Sequence, residues 1–553
     1  MDAPAPAGRA TLRIAPEQRW RVALALTLLA FFALAMLVAK SQEKGLGHDE
    51  HQFVSPGILT MREGLLPYRD YPLFHVPYLV LLHGALAAWV PYKMLVVRLF
   101  TALTAWGTVF LIGRWTWRNV AVSNVWWRVA AVGAIGILFL LPPVTAQTVQ
   151  MIWNHATPVF FFIAAWVVLA GAAATERRGG RCLAAGLLLG IAAGMRLSLL
   201  PLSAPFGLAV MLMLPAASWK MRLRQTACFS AGLTLAWLPL AWFICRFPEQ
   251  FFFNNFETVA HVQIWRAYPF WHPNLENYVN AAGGLLPHTP LPPRGLTFLE
   301  KLSFLRLSPM RESLIPILLG PVLTVLALIA SLRHDRKLPF VPAFALLCWP
   351  FVLWGCWAPS RVNSQYYYVA VVYGALLVAV GLAGLRHTVQ RRFVLSIVGL
   401  AVVAAVFLGW EEYRDVRKVY KIRNWRGVRA HEGFVALARQ TGPGYVLSLN
   451  AFHLQEGGAR IYPEFSSHAF PWRLAHLFPE EKRRRYQLIA AHELTILLAG
   501  RMPDAIVVGR GETDQMEVPF LEFARMHGYI PMDERMTVWR RPAADSSAAS
   551  LEP

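Results

Sequence analysis

Asp49 and Glu50 stand in Gly47-His48-Asp49-Glu50-His51, about ten residues beyond the apolar run from Val22 to Ala39. A carboxylate beside a hydroxyl can take its proton as the hydroxyl attacks an electrophile, and partial desolvation at a membrane edge strengthens it as a base. Neighbouring carboxylates on regular structure do not face each other, so only one of the pair points into a given site. His48 and His51 flank the pair and offer hydrogen bonds or a proton in support. An ordinary solvated loop acid is the bland alternative. Which side of a membrane the pair faces bears directly on that choice. No Gly-rich phosphate loop, nucleophile elbow or Cys/His metal cluster is present in the sequence.

The elements that must position these residues are apolar. Of 553 residues, 56% are hydrophobic and 15% charged, with a mean hydropathy of +0.40. A soluble chain carries about a quarter charged residues. A bilayer core needs about 20 predominantly apolar residues per helix. Eleven stretches qualify or nearly so: 22–40, 94–113, 129–146, 157–175, 182–195, 199–215, 226–244, 313–332, 338–356, 366–385 and 393–410. The first has no convincing cleavage site and reads as an uncleaved span. Cys182, Cys228, Cys245, Cys348 and Cys356 lie in or beside these runs, with neither zinc nor disulfide spacing, and read as small core residues.

Placing the N-terminus inside gives inner segments with 19 basic residues against four acids, while the outer loops are nearly balanced. That asymmetry is the positive-inside pattern. The net charge of +21 is therefore mostly topological, and nucleic acid is excluded as a partner. The first outer segment, 41–93, carries the acidic pair. Its apolar part, Leu73–Val90, reads as an interfacial helix with Tyr78 and Trp89 at headgroup depth, because counting it as a span would put the arginine clusters outside. From 411 the composition becomes water-soluble. A helical pattern over Asn424–Gln440 precedes a strand at Tyr445–Leu449, and a longer helix over 480–500 precedes a strand at Asp504–Val508. The expected chain is an all-α polytopic membrane protein of about 11 transmembrane helices, with interfacial helices in the first outer loop and a small C-terminal α/β domain. Its parts are an inner N-terminus (1–21), a multi-span catalytic domain (22–410), an extracytoplasmic domain (411–540) and a disordered tail (541–553).

The acidic pair after the first span, followed by Ile58-Leu59-Thr60-Met61-Arg62-Glu63-Gly64-Leu65-Leu66-Pro67-Tyr68-Arg69-Asp70 and Pro72-Leu73-Phe74-His75-Val76-Pro77, resembles the first outer loop of C-type glycosyltransferases. The likeness is to the bacterial branch that holds lipid A aminoarabinose transferase and the rhizobial galacturonosyltransferases, related to protein O-mannosyltransferases. It covers residues 20–400 in topology, with the motifs concentrated in 45–115. The resemblance implies an enzyme of the bacterial cytoplasmic (inner) membrane that moves a sugar from a polyprenyl-phosphate donor to an envelope glycan, lipid or protein on the outer face, with inversion. It implies Asp49 and Glu50 as the catalytic pair, Asp49 as the base and Glu50 supporting the loop or a metal.

Arg196, where members often place a basic residue, Arg361 and Tyr366 at the entry to the tenth span, and His75 are the implied donor-phosphate ligands. His75 stands where many members have a lysine, and holds phosphate well only when protonated. His48, His51, His155 and Arg69 are candidate acceptor or supporting residues; His261, Trp265 and Arg266 are candidates for the acceptor side. The second outer loop, Gln147–His155, lacks the acid that many members carry, so a divalent metal would need His155 or Asn154 in its place. Arg98 reads as a snorkelling residue. A transporter or flippase of lipid-linked glycans is the competing class. It would carry polar residues along a midplane path in broken helices, whereas polar residues here gather at the outer ends of the spans.

Overall fold

In the computed structural model, the residues described are 15–120, 125–175, 178–215, 218–272, 274–280, 286–289, 298–303, 305, 310–335, 338–358, 363–385, 391–414, 419–509 and 514–542. Most are helical. The N-terminal helices are α1 (Pro16–Ser41), α2 (His48–Glu63), α3 (Pro77–Ala87), α4 (Lys93–Asn119), α5 (Val125–Leu140), α6 (Pro143–Val149), α7 (Ala156–Ala170) and α8 (Arg178–Met195). Among the described residues, seven helices are long and apolar enough to cross a membrane: Pro16–Ser41, Lys93–Asn119, Ala156–Ala174, Trp219–Arg246, Leu314–His334, Phe340–Trp357 and Ser364–Gly384. At a rise of about 1.5 Å per residue the shortest runs about 27 Å and the longest about 42 Å, against the ~30 Å of a hydrocarbon core. Leu24, Leu28, Phe31 and Phe32 on α1 and Leu235, Leu238 and Trp242 on the Trp219–Arg246 helix are exposed, a face suited to lipid. Tyr368–Gly384, apolar all round, is enclosed by its neighbours and forms the centre of the bundle.

Not every apolar stretch forms one straight helix. The stretch 129–146 bends by 68° between α5 and α6, where Pro142 and Pro143 interrupt the hydrogen-bond ladder. The stretch 199–215 is a succession of 3-10, α and π turns from Leu197 to Met213, interrupted by Pro201 and Pro205. The stretch 182–195 lies in the 18-residue α8, whose first turn carries Arg178 and Arg181 and which is less apolar than the seven long helices. Helix Arg391–Tyr413 matches 393–410 in position, with its short apolar core at Val398–Phe407.

Leu73–Val90 contains only the 11-residue α3, which spans about 17 Å. It packs on α2 at a Gly57–Gly84 contact so close that a Cβ on either would lie within 2.3 Å of the other helix's backbone. Trp89 is exposed. Tyr78 reaches the Trp219–Arg246 helix beside Pro239, where its hydroxyl donates to Ala236 O and accepts from Leu240 N (3.1 Å). The proline disturbs the ladder there, and the tyrosine occupies the opened rung.

The C-terminal part is a five-stranded sheet, order β2-β1-β3-β5-β4, with β1 (Tyr445–Leu447), β2 (Arg460–Ile461), β3 (Ala505–Val507), β4 (Ile530–Pro531) and β5 (Val538–Arg540). β1 pairs in parallel with β2 and β3; β5 is antiparallel to β3 and β4. The helix expected over 480–500 is two short ones, Glu480–Tyr486 and Leu494–Ala499, parted where Gln487 takes a left-handed conformation (φ 52°). The helix Ala451–Glu456 seats this part on the bundle: Glu456 Oε2 accepts Met94 N–H (2.9 Å) and Gln455 Nε2 donates to Ser55 O (3.4 Å). Residues 543–553, most of the expected disordered tail, lie outside the described residues.

Candidate active site

Asp49 and Glu50 open α2, one residue apart and with opposite surroundings. Glu50 is the third helical residue; one oxygen accepts Gly47 N–H (2.7 Å), closing the first turn. It is fully buried, as is Arg98 of α4, and the two meet in a forked pair: Nε to Oε1 at 3.0 Å and Nη2 to Oε2 at 2.7 Å. Ile152 N–H adds a further bond to Oε1 (2.9 Å). Both oxygens are thus taken, and Glu50 does not line the cavity described below. The expectation of a catalytic Glu50 gives way to a structural one. Arg98 does not snorkel; its remaining N–H groups donate to the carbonyls of Ser41, Lys44 and Gly45.

Asp49, half-buried, faces a cavity of about 310 Å³. Gln52, one turn on, donates Nε2–H to Asp49 Oδ1 (3.3 Å) and accepts from His75 Nε2 (3.0 Å). His75 stacks on Phe53 at 4.6 Å, and burial pushes its pKa down to about 4, with Asp49 pulling up and Arg196 down. It is neutral near pH 7, so the expected role as a cationic phosphate ligand does not fit this state. Its place is held from Tyr68, which sits at φ 67° and donates its hydroxyl to His75 O (2.6 Å).

The opposite wall joins segments distant in sequence. The chain leaves α6 through Trp153, Asn154 and His155, all lining the cavity, as do Asn363, Gln365 and Tyr366. His155 is buried and held well below its usual pKa, first by desolvation and then by the nearby Arg196 charge. Neutral, it accepts at Nδ1 from the Arg196 guanidinium. Arg196 stands behind this wall, 5.5 Å from the Tyr366 ring centre and bonded to Ser198 Oγ (2.9 Å). Of the two broken stretches, α5–α6 is followed by the lining segment Trp153–His155, and Leu197–Met213 begins one residue after Arg196.

Arg266, Trp265, Phe470 and Arg473 also line the cavity. Arg473, on the helix Ala469–Ala475 of the C-terminal part, lies over Trp265 at 4.6 Å and Phe470 at 5.5 Å.

The cavity thus unites Asp49, His75, His155 and Tyr366, with Arg196 directly behind and Trp265 and Arg266 on the expected acceptor side. It does not include His51, whose Nδ1 accepts Phe452 N–H (3.0 Å) in the seam between α2 and the C-terminal part. Nor does it include Arg69, half-exposed and paired with Asp70 at 2.7 Å, or His261, which packs on Phe478. Arg361 and the His48 side chain lie outside the described residues. Gln52, Phe470 and Arg473 are additions; nothing in their local sequence marks them, since they meet the site only through tertiary packing. Asp49 is the one acid among the described lining residues, and no group of three or more His, Cys, Asp or Glu among the described residues is placed to hold a metal. The residues present do not fit a divalent ion held by two acids.

No protein-family model and no curated protein matches the sequence. Solved structures do. ArnT from Cupriavidus metallidurans, the lipid A aminoarabinose transferase, matches in its apo state with a TM-score of 0.56 and 13% identity. The same protein bound to undecaprenyl phosphate matches with a TM-score of 0.54 and 14% identity; in both, 94% of this chain and 98% of that one are covered. The apo oligosaccharyltransferase of Archaeoglobus fulgidus matches with a TM-score of 0.51 and 12% identity over 90% of this chain and 70% of that one. These likenesses give this chain the fold of the C-type glycosyltransferases.

Proposed function

We propose that the chain is an inverting glycosyltransferase of the bacterial cytoplasmic membrane. It takes a sugar from a polyprenyl-phosphate donor and passes it to an envelope acceptor on the outer face. The observation that carries this reading is the cavity itself: one carboxylate, Asp49, set against Arg266, Arg473 and the His155–Arg196 pair, under aromatic rings suited to a sugar. ArnT with undecaprenyl phosphate supports the donor class.

In the proposed step the acceptor oxygen attacks the anomeric carbon from the face opposite the phosphate, and its proton passes to Asp49. The bond from the anomeric carbon to the phosphate oxygen breaks, and the lipid phosphate leaves with that electron pair, needing no acid. Gln52 holds Asp49, and neutral His75 holds Gln52. Guanidinium charge from Arg196, Arg266 and Arg473 balances the departing phosphate, with Arg361 a further candidate; Tyr366 borders the sugar. Electrostatic stabilisation and positioning supply most of the acceleration in such a site.

Membranes carrying the protein, given a panel of labelled polyprenyl-phosphate sugars and envelope fractions, test the class. Transfer of one sugar with inversion is the expected result. Failure of every donor, combined with movement of a lipid-linked sugar across vesicles, would favour transport instead.

A further inference from the structure

His468 adopts φ 60° and ψ −150°, a backbone region that glycine enters freely and that a Cβ makes costly. It is also buried, at 2% exposure. Such a conformation persists only where the surroundings fix the chain on both sides. Upstream, His468 N–H donates to Phe465 O (3.0 Å), and the Ser467 hydroxyl donates to Pro72 O (2.8 Å), tying the turn to the segment that leads to Phe74 and His75. Downstream, the turn starts the Ala469–Ala475 helix. Trp472 fastens that helix to the C-terminal core by donating Nε1–H to Met516 O (3.0 Å), while Phe470 and Arg473 reach the catalytic cavity.

The side chain at the strained position meets α2. The ring centre of His468 lies 4.6 Å from that of His51; His51 lies 4.8 Å from His453, which stacks on Phe434 at 4.3 Å. On α2, His51 comes two residues after Asp49 and one before Gln52, and the bond from Phe452 N–H to its Nδ1 fixes the ring. The contact between the two imidazoles therefore joins the helix that carries Asp49 to the helix that carries Arg473. A glycine at 468 would take the same backbone without strain and would lose that contact.

We propose that His468 is a positioning residue for sugar transfer: its turn and its ring on His51 set Arg473 in the cavity that Asp49 faces. The proposal rests on the glycosyltransferase reading given above. Arg473 is held from two directions, by Trp265 and Phe470 under its guanidinium and by the turn at the start of its helix. A guanidinium that balances a departing phosphate acts in the transition state, so its displacement lowers kcat more than it raises the KM for the donor.

The test is a double-mutant cycle in the full-length protein. His468→Gly is expected to lower kcat about tenfold with donor KM changed less than about twofold, and to add no further loss in an Arg473→Gln background. His51→Asn, which keeps an acceptor for Phe452 N–H and removes the ring, should give the same pattern and serves if the glycine variant does not fold. Losses that multiply in the double variant, or a wild-type kcat in either folded single variant, overturn the proposal. Two further readouts need no sugar transfer. The thermal midpoint should be higher for His468→Gly than for His468→Ala, since both lack the ring and only alanine keeps the strain. Amide hydrogen exchange across 469–475 should be faster in His468→Gly than in wild type. Equal midpoints or unchanged exchange overturn the proposal whatever the donor. Wild-type protein that transfers no sugar strikes the glycosyltransferase reading instead, and these two readouts then still decide the turn and its ring contact.

Discussion

On α2 one step along the helix turns a side chain by about 100°, and that turn separates Asp49 from Glu50. Glu50 is enclosed with Arg98 and its loss leaves a buried cation without its partner. Glu50→Ala should cost about 3–5 kcal/mol, read as a large fall in thermal midpoint or in folded yield. Asp49→Asn, half-exposed and nearly isosteric, should leave that midpoint within measurement error. Gln52 acts through Asp49 as a positioning residue. Gln52→Leu should lower kcat about tenfold with little change in KM, while Gln52→Glu, which keeps an acceptor for His75 but repels Asp49, should shift the pH profile as well. An unchanged kcat in Gln52→Leu would remove Gln52 from the site. Residue types alone paired the two acids, and only the resemblance ranked them; the physical reason, which of them meets Arg98 48 residues further along, lies in the tertiary packing. Arg473 was beyond reach for a similar reason: it enters the site from a different part of the chain, riding on Trp265.

At the scale of elements, the site depends on a close helix pair and a broken helix. Gly57 and Gly84 let α2 and α3 touch backbone to backbone, which fixes the helix carrying Asp49 against the one that follows His75. Gly84→Leu leaves no room and should destabilise by at least 1–3 kcal/mol; a thermal midpoint equal to wild type would contradict that packing. The breaks at Pro142-Pro143 and around Pro201 were hidden within apolar runs, since hydropathy registers composition and not continuity of the ladder. The prolines were the available signal. The short α3, by contrast, was legible as a non-spanning helix from the charge asymmetry of the loops after it.

Across the whole molecule, a helix of the C-terminal part (Ala469–Ala475) and the bundle share the site, and buried neutral histidines couple their stability to pH. His75 in the catalytic cavity and His476 near the Ala469–Ala475 helix both have pKa values pushed down to about 4 by burial. Their folded values lie below the unfolded value near 6.5, so the neutral form is favoured on folding. The stability is present above pH 6.5 and is lost as pH falls towards 4, by about 2 kcal/mol per histidine at pH 5. Thermal midpoints should fall between pH 7.5 and 5, and His476→Gln should flatten the fall. A slope unaffected by that change would count against the assignment. The α/β character of this part was readable from its alternating patterns, but not that its Arg473 forms one wall of the cavity.

The most direct measurement is the single-turnover rate of sugar transfer by Asp49→Asn protein against wild type, at matched expression and with the active donor. The account predicts a fall of about 100-fold or more, with thermal midpoint unchanged, because the carboxylate is the one acid lining the described cavity. Full transfer by the variant would contradict the account and move the chemistry away from α2.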